Sequence, residues 1–198
     1  MIPFLPEEIK ALRDLANVWP DERMVLLGAS ALRCFLEMSW RTTEDLDLLV
    51  AASVADALAA LALLERWVQD PHREHRWRSS SGIAVDIVPV DPEALTRGYI
   101  DWTKSGFRMT LLGMRLAFEH AVVVRVAADL DVRVAPLPAL AVIAAIALMG
   151  SPGRALDNAP ADNRNHFANV GAIVIVKPPV NLPGFEDIPT PGSVPAAS

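Results

Sequence analysis

Cysteine is almost absent from this 198-residue chain, which holds Cys34 alone. An intrachain disulfide and a cysteine-rich zinc cluster are therefore excluded, and a reducing compartment, the cytoplasm, is the expected location. An excess of positive charge is also missing. The net charge of −6 argues against a broad nucleic-acid-binding surface, although a local basic patch can still hold one end of an RNA or a nucleotide. Long apolar runs are lacking too. The run at residues 137–149 includes Pro138 and falls short of the ~20 residues that cross a bilayer, so a buried helix is expected there and no membrane contact. The first residues, Met1-Ile2-Pro3-Phe4-Leu5-Pro6-Glu7-Glu8, have no basic start followed by an apolar core and do not read as a secretory signal. Neither an internal repeat nor a heptad pattern is found.

What is present is a large apolar fraction, 52%, with a positive mean hydropathy of +0.29, enough for one well-buried domain. Residues 7–18 carry Ile9, Leu12, Leu15, Ala16 and Val18 at helical spacing behind Pro6 and two glutamates, which predicts an amphipathic first helix. A short apolar run at residues 23–27 ends at Gly28, and a helix is expected over residues 30–38. Residues 44–50 read as a strand, and the Ala- and Leu-rich residues 53–68 as a helix covering the sheet. Two strands follow, at residues 75–78 and 83–88, joined by Ser79-Ser80-Ser81-Gly82. Beyond them the sequence predicts a helix at residues 92–97, short strands near residues 108–112, a hairpin pairing 122–126 with 132–134, and a helix from Pro138 to about residue 149. Past Gly150 the composition changes, because half of the 16 prolines fall in the last 48 residues. The expected organisation is one α/β (α+β) domain over residues 1–150, a mixed twisted sheet flanked by helices. An irregular proline-rich tail over residues 151–198 follows, extended or disordered apart from a short strand at 172–176.

Chemistry is concentrated in Asp45-Leu46-Asp47-Leu48-Leu49-Val50. Side chains at i and i+2 of a strand share a face, so two carboxylates lie side by side in an otherwise apolar segment. They repel one another, and a hard divalent cation such as Mg²⁺, which prefers oxygen ligands, is the simplest compensation. The pattern alone is weak: fourteen aspartates in this chain make about one Asp-x-Asp pair an expected coincidence. A second copy exists at Asp129-Leu130-Asp131, where a hairpin turn is wanted and Asp is a common turn former. An exposed edge strand with a solvated acidic face would explain the first pair equally simply.

Two further features bear on Asp45 and Asp47. Gly28-Ala29-Ser30 lies at a strand-to-helix turn where free backbone N–H groups and a hydroxyl can receive phosphate oxygens, although a helix cap accounts for Ser30 as well. Asp86 sits at a core-like position within Ile83-Ala84-Val85-Asp86-Ile87-Val88. Close to it, His72-Arg73-Glu74-His75-Arg76-Trp77-Arg78 mixes basic and aromatic residues. That cluster can hold an RNA end, or can be a strand whose basic residues face water while Trp77 packs inward, which is the simpler reading.

In order and spacing these segments resemble the DNA polymerase β-like nucleotidyltransferase superfamily, and within it the minimal members of the AbiEii/AbiGii-toxin type. Gly28-Ala29-Ser30-Ala31-Leu32 is similar to that group's Gly-Gly-Ser/Thr-Ala-Leu turn, and Arg41 to Asp47 matches its Arg-x-Thr-x-Asp-x-Asp run. Asp86, in a Val-Asp-Ile-Val-Pro string, matches the third carboxylate. The resemblance, spanning roughly residues 25–140, implies a nucleotidyltransferase fold and transfer of a nucleoside monophosphate from an NTP to an RNA end, such as that of a tRNA, or to a protein hydroxyl. It implies that Asp45, Asp47 and Asp86 hold two Mg²⁺ ions, with Asp86 beside the attacking hydroxyl. It further implies that Gly28, Ala29 and Ser30 cradle the β- and γ-phosphates. Arg41 either adds positive charge at the triphosphate or pairs with Glu44. A toxin role with an antitoxin as partner fits that group.

Two departures stand beside the likeness. Ala29 replaces the second glycine of the turn, and residues 139–146 lack the lysine that the corresponding helix usually carries. A relative that keeps the fold but binds nucleotide or protein without turnover is the alternative. The change near Ala141 coincides with the composition break, which a shifted reading frame would explain.

Overall fold

The computed structural model describes residues 4–20, 23–37 and 45–149. The expected tail, with its short strand at 172–176, lies outside the described residues, as does Arg41. The chain opens with helix α1, Pro6–Val18, where Pro6 occupies the first turn and the Glu8 carboxylate accepts the Leu5 backbone N–H at 2.8 Å. Strand β1, Met24–Leu27, runs straight into the five-residue helix α2, Gly28–Leu32. Strand β2 is Asp45–Val50, and helix α3, Val54–Ala62, is capped by Ser53, whose hydroxyl accepts the Asp56 N–H. Strands β3, Val68–Gln69, β4, Arg76–Arg78, and β5, Ala84–Pro89, follow. Helix α4, Pro92–Arg97, is closed by Asp91 at its start and by Gly98 in the left-handed conformation at its end. A small hairpin pairs β6, Tyr99–Asp101, with β7, Arg108–Thr110. The chain then forms helix α5, Met114–Glu119, the hairpin β8, Val122–Ala127, and β9, Leu130–Val134, and helix α6, Leu137–Met149.

Seven strands form one mixed sheet in the order β3-β4-β5-β2-β1-β9-β8. The central strands are the most apolar, and Val25, Leu26, Leu46, Leu48, Leu49, Val50 and Val85 are fully buried. Strand β2 pairs antiparallel with β1 and parallel with β5, so residues near the start of β2 and β5 meet the end of β1. Helices α2 and α5 pack on β1, and α6 packs on both of them. The architecture is the expected mixed α/β sheet flanked by helices.

Several elements differ in extent from the sequence reading. The helix expected over 30–38 begins at Gly28 and closes at Leu32, giving way to turns at residues 33–36. The helix expected over 53–68 stops at Ala62. Arg66 takes a positive φ of 61°, which turns the chain so that Trp67 buries its ring and its indole N–H reaches Asp14 at 3.2 Å. Burying that ring outweighs the helical preference of the Ala- and Leu-rich run. Strands β3 and β6 and helix α5 have no counterpart in the sequence reading: each is too short for a periodic signal, and α5 has no marker such as the Pro92 that announces the equally short α4. Among the described residues no helix is long and apolar enough to cross a membrane.

Candidate active site

Strand register builds the site. Asp47 stands opposite Leu27 of β1 on one side and opposite Asp86 of β5 on the other, and Asp86 stands opposite Arg76 of β4. Residues directly opposite share a face, so Arg76, Asp86 and Asp47 form a row across three strands, and Asp45, two residues before Asp47, joins them. The other face of the same strands takes Leu46, Leu48, Val85, Ile87 and Trp77 into the core. The three sequence-predicted aspartates therefore come together at one end of the sheet.

Among the described residues, Arg76 brings a cation to this cluster. Its Nε donates to Asp86 Oδ1 at 2.7 Å, and its Nη2 donates to Asp86 Oδ2 at 2.7 Å and to Asp45 Oδ2 at 3.1 Å. The Asp86 side chain keeps 6% of its exposure, against 20% for Asp45. Hydrogen bonding to Asp86 raises the Arg76 pKa further above its already high ordinary value. Burial opposes that rise, and the charges of Asp86, Asp45 and Asp47 add to it. This is a correction to the sequence reading of residues 72–78: Trp77 does pack inward, but Arg76 faces the carboxylates rather than water. Parity held the signal. If Trp77 and Val85 point into the core, then Arg76 and Asp86 share the opposite face.

Gly28 closes the other side. Its φ is +61°, and a Cβ built there would sit 2.0 Å from Asp47 Oδ2 and 2.8 Å from Asp47 Cγ. Only glycine lets the turn and the carboxylate share that space. Ala29 and Ser30 are buried behind it. The Ser30 hydroxyl donates to the Asp45 backbone carbonyl at 3.1 Å and accepts from Arg33 Nη2 at 3.0 Å. Arg33 in turn pairs with the buried Glu8 of α1 at 2.6 Å. Glu8, Arg33 and Ser30 thus brace the start of β2 from behind, a support that no short motif announces. Cys34 lies against the same turn, its thiol pushed up to about 11 by burial, and is protonated rather than nucleophilic near neutral pH.

The second Asp-Leu-Asp behaves differently. Asp129 pairs with Arg13 at 2.6 Å and Asp131 with Arg125 across the β8–β9 hairpin, all at exposed positions. Side-chain hydrogen bonds from those arginines hold both carboxyls below their usual range. Away from the site, Glu74 accepts the backbone N–H groups of Lys104 and Ser105 and the Ser105 hydroxyl at 2.8–2.9 Å. Burial alone would raise its carboxyl, but these donors hold it below the ordinary range.

The donor set at the sheet end is all oxygen, the chemistry a hard divalent ion selects, and Mg²⁺ is ordinarily held by only one or two carboxylates completed by substrate phosphates. Among the described residues no three of His, Cys, Asp or Glu close around a single point as a finished cage. The cluster already accommodates positive charge, in the form of the Arg76 guanidinium. The aspartates thus suit an ion that arrives with its own oxygen ligands.

Comparison with known proteins bears on the family of the chain. No curated protein matches the chain. A family model described as nucleotidyl transferase AbiEii toxin, type IV TA system, matches residues 10–142, which span every strand of the sheet and all four of the clustered side chains. With two thirds of its length inside that match, the chain belongs to the AbiEii family of nucleotidyltransferase toxins of type IV toxin–antitoxin systems.

Proposed function

We propose that this chain is a metal-dependent nucleotidyltransferase that moves a nucleoside monophosphate from an NTP to the hydroxyl of an RNA end, such as a tRNA's, or of a protein, acting as the toxin of a toxin–antitoxin or phage-defence pair. The observation that carries the reading is the meeting of Asp45, Asp47 and Asp86 against a turn where Gly28 leaves no room for a side chain. Asp45, Asp47 and Asp86 would hold Mg²⁺, two ions in this reading. When bound, the metal withdraws charge from the phosphates and eases attack on them.

The residues divide the remaining work. The Gly28-Ala29-Ser30 turn would receive the β- and γ-phosphates through its backbone, since the Ser30 hydroxyl is committed to Asp45 and Arg33. Ser30, Arg33 and Glu8 fix the backbone from which Asp45 and Asp47 project, which orients the carboxylates before substrate arrives. Asp86 would draw the proton from the acceptor hydroxyl as its oxygen bonds to the α-phosphorus. The bond from that phosphorus to the bridging oxygen then breaks, and pyrophosphate leaves with the electron pair. Arg41 would add charge at the triphosphate or pair with Glu44, and an antitoxin would be the protein partner.

One observation favours a second reading, a relative that binds nucleotide or protein without turnover. Helix α6 carries no charged residue where the family resemblance places a lysine. Incubation with Mg²⁺, each α-labelled NTP, total tRNA and cell protein separates the two, beside an Asp45→Ala/Asp47→Ala control. Label on RNA or protein is expected, and its loss in the control. Transfer that survives the double substitution removes the site from this assignment, and nucleotide binding without transfer selects the second reading.

A further inference from the structure

Asp45 and Asp47 lie two residues apart on β2, and Asp47 stands opposite Asp86 of the neighbouring parallel strand β5, so three negative charges accumulate on one partly buried face. Charge gathered away from water needs a partner, and the chain supplies one: Arg76, placed opposite Asp86 by the β4–β5 register, spans both carboxylates with its planar fork. Both oxygens of Asp86 and one of Asp45 accept from it. A divalent ion held by the same two residues would need oxygens from the same set and would stand beside a fixed like charge.

We infer that Arg76 is a resident counter-cation, which holds Asp45 and Asp86 in the ligand-free protein and competes with a divalent ion for their oxygens. This rests on the proposed function, in which these carboxylates are the metal's ligands. Linkage makes the competition reciprocal: whatever Arg76 contributes to the empty site, the arriving ion has to replace. The guanidinium that yields its carboxylates is then placed beside the phosphates of the incoming nucleotide, anions that its fork matches as well as it matches Asp86. Arg76 is thus a positioning residue. Arg76 offsets part of the cluster's negative charge without metal, which lessens the repulsion among the aspartates, and it gives way when metal and triphosphate arrive together.

The test is a calorimetric titration of the full chain with Mn²⁺ alone at pH 8, for the wild type, Arg76→Gln, Arg76→Lys and Asp45→Ala/Asp47→Ala, with thermal melts in EDTA and in Mn²⁺. Removing the competing charge is expected to tighten Mn²⁺ binding by about tenfold in Arg76→Gln. Arg76→Lys, which keeps a cation but loses the fork, should fall between it and the wild type. The glutamine variant should melt lower than wild type in EDTA and gain more from Mn²⁺ than wild type does. If Arg76→Gln fails to fold, tightened binding in Arg76→Lys still supports the inference. Mn²⁺ binding that is unchanged or weaker in the Arg76 variants, with the wild type binding, overturns the inference and leaves the metal site standing. Absent binding in every protein, or binding that persists undiminished in the double aspartate variant, overturns the metal assignment and the inference with it.

Discussion

Position 28 shows how a single residue sets the geometry of the site. A side chain there would meet two obstacles at once, a φ of +61° and the Asp47 carboxylate at 2.0 Å. The first alone costs a non-glycine residue about 1–3 kcal/mol. The second is relieved only if the Asp47 carboxylate swings away from the turn, out of the position it holds in the aspartate cluster. Gly28→Ala is therefore expected to lower unfolding stability by at least about 1–3 kcal/mol, measured as a shift in urea midpoint, and to abolish any transfer activity. Full stability in that variant would mean that the turn has another conformation open to it. Glycine at a strand-to-helix turn is visible in the sequence, as are Asp45, Asp47 and Asp86. Arg76 is less visible because five neighbouring residues in its segment are also charged or histidine, and only the register with β5 separates it from them.

At the scale of elements, helix ends and loops are held by side chains far away in sequence. Glu8 of α1 reaches across to Arg33, and through Ser30 to the first residue of β2, so the helix that opens the chain positions a strand nearly forty residues later. Glu74 does the same for the loop between β6 and β7, where it accepts from Lys104 and Ser105 while buried itself. Its carboxyl is held below the ordinary glutamate range in the folded state. The stability it contributes is therefore complete above the unfolded value of about 4.3 and is lost as pH falls through the lower folded value. Glu74→Gln should cost about 1.5–3 kcal/mol at pH 7, by the usual strength of hydrogen bonds to a charged group, with the gap from wild type narrowing toward pH 3. Urea midpoints at the two pH values check this, and a gap that is constant or widens in acid would show that the carboxylate's charge is irrelevant to the loop. The longer elements were legible because their patterns repeat: α1 by its apolar stripe, β2 and β5 by buried runs, the β8–β9 hairpin by its β-branched residues. The two-residue β3 and three-residue β6 were not, since they hold shape through partners rather than pattern.

For the whole molecule, the family match ends at residue 142, where the apolar run of α6 carries no lysine and the proline-rich composition is about to begin. If a shifted reading frame accounts for that change, the coding DNA beyond about codon 141 should hold, in another frame, a helical continuation bearing lysine and aspartate. Sequencing and translating that stretch decides it, and the absence of such a continuation from both other frames overturns the explanation. By itself the sequence determined the fold class and the grouping of the chemistry, because hydrophobic periodicity and turn residues act locally and an Asp-x-Asp pair on a strand must present both carboxylates to one face. It also named three aspartates and a glycine turn in the right order. Only the tertiary structure decided what surrounds them, because contact across strands is a matter of register and not of spacing along the chain. Register put Arg76 opposite Asp86, Asp86 opposite Asp47, and Asp47 at the end of β1 against Gly28. The same decision separated two identical Asp-Leu-Asp strings, one gathered with a third carboxylate and a half-buried arginine, the other spent on exposed ion pairs at a hairpin.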